Sequence, residues 1–171
     1  MKLVNSITHI FLRKGKEECT RLLTLLVSST QRLIKPYTNG MLSSLLHFAK
    51  DPNPTVCGNV LMCLGELTCV GGVEVSRYLP DLMSAILRCL ADPNVVKRDA
   101  ALHALGQACS STGYVVKPFV DHPQLMDLLG KILRTEQSLP VRREVIKVLG
   151  ILGAIDPYRR KVRTKVRIAK R

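Results

Sequence analysis

The stretch DPNVVKRDAALHALGQA, which begins at Asp92, decides the fold because the chain repeats its pattern twice more. The counterparts are DPNPTVCGNVLMCLGEL, which begins at Asp51, and EQSLPVRREVIKVLGIL, which begins at Glu136. The three stretches align without gaps, and their starts lie 41 and 44 residues apart. Self-similarity at a fixed period of this size is the sequence signature of a protein built from tandem repeats.

A Leu-Gly pair stands at the same place in all three stretches and marks the structural repeat positions. The pairs are Leu64-Gly65, Leu105-Gly106 and Leu149-Gly150. The residues three positions before each leucine are also apolar, namely Leu61, Leu102 and Ile146. This spacing predicts one buried face of an α-helix. A glycine inside a helix costs about 1 kcal/mol relative to alanine, so we interpret the matched glycines as places where a neighbouring helix approaches closely.

Each of these predicted helices follows a second amphipathic stretch and a short turn. The preceding stretches begin at Met41, Leu79 and His122. In the DPNP and DPN turns, the aspartate can accept backbone N–H bonds and the asparagine can cap the next helix. The period lies within the range of HEAT and armadillo repeats, about 40–47 residues, and outside that of ankyrin and tetratricopeptide repeats. The sequence therefore predicts an all-α fold, a HEAT/armadillo-type α-solenoid of about three and a half helical-hairpin repeats, with at least six helices and no strand.

The predicted repeats divide the chain into three regions. Residues 1–15 match the repeat pattern poorly, residues 16–158 form the predicted solenoid, and residues 159–171 form a basic tail that we expect to be disordered. The predicted repeat units span about 16–37, 41–72, 79–113 and 122–156. We expect Lys16–Tyr37 to be the second helix of a repeat whose first helix is too short, so that the solenoid begins mid-repeat.

The net charge of +13 belongs mostly to the tail. Arg159–Arg171 holds eight of the 26 Lys and Arg residues and no acid, which leaves 18 basic against 13 acidic residues in the body. A basic tail of this kind can bind nucleic acid or an anionic membrane, and this is the alternative function that the sequence offers. The tail carries no aromatic residue on which a base could stack, so nucleic acid is the less favoured partner.

The sequence predicts no catalytic residue, no cofactor and no metal site. The six cysteines form no CxxC pair and the four histidines are scattered, so no zinc template fits. We expect reduced, mostly buried thiols, with Cys63 and His103 on buried helix faces and not in a catalytic pair. No secretory signal is convincing, and no apolar run reaches the ~18 residues that a transmembrane segment needs.

Several passages carry a specific resemblance. They are RLIKPY (Arg32–Tyr37), KDPNPTV (Lys50–Val56), GEL (Gly65–Leu67), LGQACSSTGYVVKPF (Leu105–Phe119) and RREVIKVLGILGAIDPY (Arg142–Tyr158). With them, the chain between Lys14 and Val162 resembles the N-terminal HEAT solenoid of the target-of-rapamycin (TOR) kinases. The residues before Lys14 and after Val162 are expected to depart from the family. Such a loss of similarity at both ends, beside Met1, is what a gene-model fragment or a truncated duplicate would give.

The resemblance implies a non-catalytic scaffold within growth and nutrient signalling. In that family this region is an architectural arm of a large dimeric assembly, which implies protein partners, the other TOR complex components. It also implies a cytoplasmic setting, or association with endomembranes through a complex. The family's kinase region lies downstream, and the chain has no kinase glycine-rich loop, HRD-like catalytic loop or DFG triplet, so we expect no enzymatic activity.

Charged residues at the start of the predicted second helices are the candidate partner-contact surface, because they lie opposite the leucine face. They are Lys97, Arg98, Asp99, Arg142, Arg143, Glu144 and Lys147. Self-association is a further expectation, because repeats contact only their neighbours and natural arrays have polar end caps. We expect four leucines of the incomplete first repeat to lack a partner helix on one side, namely Leu22, Leu23, Leu25 and Leu26.

Overall fold

The computed structural model describes residues 15–113 and 117–152, and these ranges contain eight α-helices, two 3-10 helices and no strand. The α-helices are α1 (Lys16–Thr30), α2 (Thr38–Phe48), α3 (Pro54–Gly71), α4 (Leu79–Leu90), α5 (Val95–Thr112), α6 (Lys117–Asp121), α7 (Gln124–Thr135) and α8 (Leu139–Leu152). The 3-10 helices are Gln31–Tyr37 and Gly72–Tyr78. The prediction of an all-α solenoid is confirmed. Residues 1–14, the tail and the end of the last predicted repeat unit, 153–156, lie outside the described residues.

The helices stack as hairpins in two layers. In one layer α1, α3, α5 and α8 pack side by side in chain order, and in the other α2, α4 and α7 each pack on the second helix of their own hairpin. The solenoid is therefore held together mainly through the layer of second helices. Its core is aliphatic, and its largest fully buried side chains include Leu42, Leu61, Leu64, Leu82, Ile86, Leu102 and Leu105. Each such side chain stabilises the fold by about 1.5–3 kcal/mol.

The turns inside the hairpins have the predicted chemistry. Asp51 Oδ1 accepts a hydrogen bond from the Asn53 backbone N–H at 3.0 Å, and Asn53 Oδ1 accepts from the backbone N–H groups of Thr55 and Val56 at the start of α3. The next turn repeats this arrangement with Asp92 and Asn94. These bonds satisfy backbone donors that a helix N-terminus otherwise leaves without partners.

The prediction of one continuous helix over Lys16–Tyr37 is wrong, because α1 ends at Thr30 and a 3-10 helix follows. Hydroxyl groups at the end of α1 bond back to the preceding turn: Ser29 Oγ and Thr30 Oγ1 both donate to the Leu26 carbonyl, at 3.0 and 2.6 Å. Such local bonds compete with the helical ladder. Pro36 then lacks the N–H that a continued α-helix would use.

Helix α3 is long and mostly apolar, although Asn59 and Glu66 keep it from being one continuous apolar run. Its 18 residues have a mean hydropathy of 1.2, so by length and composition alone this helix could cross a membrane. However, 61% of this helix is buried inside the solenoid, where it packs between α1 and α5. Packing in the core therefore accounts for its apolar composition.

Candidate interaction surface

The seven charged residues of the predicted contact surface lie on α5 and α8, but they are not equally accessible. Four are exposed, namely Asp99, Arg142, Arg143 and Lys147. The expectation of exposure is wrong for Lys97, Arg98 and Glu144, whose side chains are 16%, 16% and 19% exposed because each forms an ion pair. Contact of this surface with a partner stays a prediction.

Arg98 is held between α5 and the turn that precedes α8. Its guanidinium donates hydrogen bonds to the carboxylate of Glu136 and to the carbonyl oxygens of Asp92 and Pro93. The Arg98 hydrogen bond lowers the pKa of Glu136, because it stabilises the ionised carboxylate. Arg98 therefore fastens two hairpins together, and its donors are already used within the chain.

Lys97 is likewise used within its own hairpin. Its Nζ lies 3.0 Å from Asp92 Oδ2. The pKa of Asp92 is lowered first by the backbone N–H of Asn94, which bonds its other oxygen, and then by Lys97. The hydrogen bond to Asp92 raises the pKa of Lys97 in turn. This pair stabilises the turn before α5.

His103 and Cys63 occupy different environments. The expectation that His103 lies on a buried face is wrong, because its side chain is 30% exposed and its Nδ1 lies 3.7 Å from Glu144 Oε1 on α8. The same carboxylate oxygen accepts a hydrogen bond from Lys147 Nζ at 3.1 Å. Cys63 is buried, and burial raises the pKa of its thiol to about 12, which leaves the thiol unreactive.

The three matched glycines differ in what they face. A Cβ added to Gly65 would overlap the Gln107 side-chain oxygen and lie 3.1 Å from Ala104 Cα, both on α5. A Cβ added to Gly106 would lie 3.4 Å from Val148 on α8. A Cβ added to Gly150 would have no neighbour within 4 Å among the residues that the structure describes. The glycine face of each second helix is thus the face toward the next hairpin, and on α8 this face is open.

The open face of α8 extends beyond Gly150. At the positions where α5 has Leu102 and Leu105, both completely buried, α8 has Ile146, which is 59% exposed, and Leu149, which is only partly buried. The prediction that Ile146 is buried is therefore wrong. Leu102 lies on α5, which has a neighbouring hairpin on each side. Ile146 lies on α8, the last described helix, and no described hairpin covers it on the far side. We call Arg142, Ile146, Leu149 and Gly150 the open end face.

An uncovered apolar face also lies at the other end of the solenoid. On α1, Leu22, Leu25 and Leu26 are 56%, 51% and 47% exposed. Leu23 does not share this face, contrary to expectation, because it is only 9% exposed and packs in the core. Both ends of the described solenoid therefore present apolar side chains. In the sequence, the alignment of Ile146 with Leu61 and Leu102 indicated the apolar end face of α8.

A groove of about 510 Å³ separates α4 from α7 on the first-helix layer. Leu87, Ala91 and Leu128 form apolar walls, and Arg88 and Lys131 stand among the polar lining residues. Asp127 and Gln124 complete the lining. In the ranges 15–113 and 117–152, no group of three His, Cys, Asp or Glu side chains is arranged to hold a metal ion.

Comparisons with known proteins place these features in context. Residues 115–170 match the family model described as the serine/threonine-protein kinase mTOR domain. The chain is 41% identical over 160 residues to the serine/threonine-protein kinase TOR2 of Saccharomyces cerevisiae and 41% identical over 167 residues to mTor of Drosophila melanogaster. These alignments cover 93% and 95% of this chain but only 6% and 7% of the relatives. The resemblance to the TOR kinases is confirmed, and the chain spans a small part of their length.

The resemblance reaches further than expected at both ends. The family match continues to residue 170, so the prediction that similarity stops at Val162 is wrong. The alignment with the Drosophila melanogaster protein covers 95% of the chain, so it includes some of the residues before Lys14. A basic segment can be part of the family pattern, and its composition alone did not indicate this.

The fold also has a counterpart among solved structures. The crystal structure of an engineered protein matches this chain with a TM-score of 0.74 at 18% identity, and the match covers 89% of this chain and 63% of the engineered protein. At this level of identity the likeness concerns the fold alone. It agrees with a solenoid of helical repeats.

Proposed function

Because the chain is related over most of its length to a short segment of the TOR kinases, we propose that it is a non-catalytic scaffold that binds protein through its helical-repeat surfaces. The relatives are kinases, and the segment of them that this chain matches is 6–7% of their length. The proposed partners are protein subunits of the TOR complexes. The proposed setting is the cytoplasm, including endomembranes reached through such a complex.

The open end face of α8 is the observation that carries the proposal. The positions of Ile146 and Leu149 correspond to Leu61 and Leu64 on α3, which are completely buried in the stack. A face with this pattern fits another helix of the same kind. The proposed partner is therefore a helical hairpin, which would lie against α8 as α8 lies against α5.

The chemistry of that hairpin follows from the preceding interface. Arg142 has the position of Arg98, which donates to Glu136 in the turn of the next hairpin. The partner hairpin should therefore offer a carboxylate to Arg142. It should also offer apolar side chains to Ile146, because Leu61 and Leu102, at the same repeat position, are completely buried.

A binding measurement tests this proposal. The probe is the stretch of the Drosophila melanogaster relative that directly follows the matched region, titrated into the full chain by calorimetry. Ile146→Glu should weaken binding at least tenfold, because it places a charge in an apolar contact. Arg143→Gln is the matched control, since it lowers the net charge by the same one unit on the same helix.

Each other result points to a different function. If Arg143→Gln weakens binding and Ile146→Glu does not, the charged surface is the contact and the end-face proposal is wrong. If truncation after Val162 abolishes binding while both variants retain it, the basic tail is responsible. Tight binding of that tail to a polyanion or an anionic vesicle, with no protein binding, would favour the alternative function.

A further inference from the structure

Two of the interfaces between neighbouring second helices are fastened by an ion pair at the same place. Lys16, at the start of α1, lies 3.1 Å from Asp51 in the turn before α3. Arg98, near the start of α5, pairs with Glu136 in the turn before α8. In both, the beginning of one second helix is tied to the turn of the next hairpin.

The interface between α3 and the next hairpin has two cysteines at this place. Cys57 has the position in α3 that Arg98 has in α5, six residues after the acid of its turn. Its Sγ lies 3.7 Å from the Sγ of Cys89, near the end of α4. The two residues are 1% and 2% exposed, and they are 32 positions apart in the chain.

Polar groups around the pair favour a thiolate on one of the two sulfurs. The Cys57 thiol is within 3.2 Å of the Ala49 carbonyl oxygen, which also accepts a hydrogen bond from Arg88 at 2.8 Å. The hydrogen bond from Cys57, and then the charges of Arg88 and Lys97, lower the pKa of Cys89 although burial opposes them. The thiolate is the reactive form of cysteine toward oxidants.

We propose that Cys57 and Cys89 form an oxidative modification site, at which a peroxide converts the thiol pair into a disulfide that fastens α3 to α4. The sulfurs must close from 3.7 Å to the bond length of about 2.0 Å. Among the described residues, none of the other cysteines has a second sulfur this close, although Cys63 and Cys109 are equally buried. The inference does not depend on the proposed function.

The chemistry balances with hydrogen peroxide as the oxidant. The Cys89 thiolate attacks one peroxide oxygen, the O–O bond breaks, and the departing hydroxide takes a proton to leave as water, so that Cys89 becomes a sulfenic acid. The Cys57 sulfur then attacks the Cys89 sulfur, so that the S–S bond forms as the S–O bond of the sulfenic acid breaks. The hydroxide that leaves takes the Cys57 proton. Two thiols lose two electrons and two protons, and one peroxide becomes two waters.

The consequence is a covalent link between α3 and α4, which belong to neighbouring hairpins. A cross-link between residues 32 positions apart restricts the unfolded chain and stabilises the folded one. For a chain of this size, we expect the melting temperature to rise by about 5–15 °C. The reduced pair, by contrast, leaves this interface without the ion pair that fastens its neighbours.

Thiol counting on the full chain tests the proposal. After treatment with hydrogen peroxide, denaturation and alkylation, four of the six thiols should remain free, and peptide mapping should find Cys57 joined to Cys89. The rise in melting temperature should be reversed by dithiothreitol. The variants Cys57→Ala and Cys89→Ala should each lose the cross-link and the rise, whereas Cys63→Ala should keep both.

Two results would overturn the proposal. One is a peroxide-treated chain in which all six thiols still react, or in which the oxidised cysteines carry added oxygen without a cross-link. The other is a cross-link that survives in Cys57→Ala. Circular dichroism of each variant before oxidation shows whether it is folded, and Cys57→Ser and Cys89→Ser provide second variants if an alanine variant is not.

Discussion

At the residue scale, the matched glycines show how one sequence feature meets different surroundings. Gly65 faces Ala104 and Gln107, and the Gln107 side chain is fixed there by a 2.6 Å hydrogen bond to Glu66. Where Gly65 has a neighbouring helix, no described residue lies within 4 Å of a Cβ added to Gly150. The same substitution should therefore have opposite effects on the free energy of unfolding at the two positions.

Alanine substitutions compare these positions directly. Gly65→Ala should destabilise the chain by about 1–2 kcal/mol, because the methyl group overlaps Gln107 and presses on the α5 backbone. Gly150→Ala should stabilise it by up to about 1 kcal/mol, because alanine favours the helix and its methyl group meets none of the described residues. Urea unfolding measures both. Equal effects at the two sites would contradict the assignment of this face to the next hairpin.

At the scale of the elements, ion pairs join a helix to the turn of its neighbour. The carboxylate of Glu136 is 6% exposed, is bonded by Arg98, and also accepts hydrogen bonds from the backbone N–H groups of Gln137 and Ser138. Neutralising Glu136 leaves the Arg98 guanidinium, whose side chain is only 16% exposed, without a counter-ion. Such a loss is costlier than the loss of an exposed surface pair.

The stability that Glu136 contributes should depend on pH. Because its folded pKa is lowered, this contribution is fully present above the unfolded pKa of about 4.3 and is lost as the pH falls through the folded value. Glu136→Gln should cost about 1–3 kcal/mol at pH 7 and progressively less below about pH 4. Chemical denaturation across this range measures the difference from the unsubstituted chain.

A surface ion pair provides the control for this experiment. Glu18 lies 2.8 Å from Arg21 on α1, and both side chains are more than half exposed. Glu18→Gln should change the free energy of unfolding by no more than about 0.5 kcal/mol at either pH. If Glu136→Gln were equally mild at pH 7, the Arg98 interaction would not fasten the two hairpins.

At the scale of the whole molecule, both end faces of the described solenoid expose apolar side chains. A second copy of the chain can cover them, because a helical repeat presents the same kind of surface at each junction. Contact of the α1 end of one copy with the α8 end of another is heterologous, so it can continue to larger assemblies. We therefore expect the isolated chain to self-associate.

Charged substitutions on α1 test this expectation. The double variant Leu22→Lys and Leu25→Glu keeps the net charge and should shift the chain to a monomer in sedimentation velocity, because both leucines are about half exposed on the uncovered face. Leu33→Lys is the control, since Leu33 is 81% exposed in the following 3-10 helix. A chain that is already monomeric at high concentration would refute the prediction.

The sequence by itself determined the periodic features of this protein. Helix faces and hairpin turns depend on residues within a few positions of one another, so the spacing around Leu105 and the cap at Asn94 could be predicted. The resemblance to the TOR kinases could also be identified from the sequence, because it rests on long continuous passages such as Arg142–Tyr158.

The tertiary structure alone decided which of these residues have partners. Arg98 and Arg142 occupy the same repeat position, yet one is held by Glu136 and the other is exposed. Cys57 and Cys89 approach each other only because two hairpins stack. Such contacts join residues more than thirty positions apart, and a period fixes the face of a helix without fixing what lies across from it.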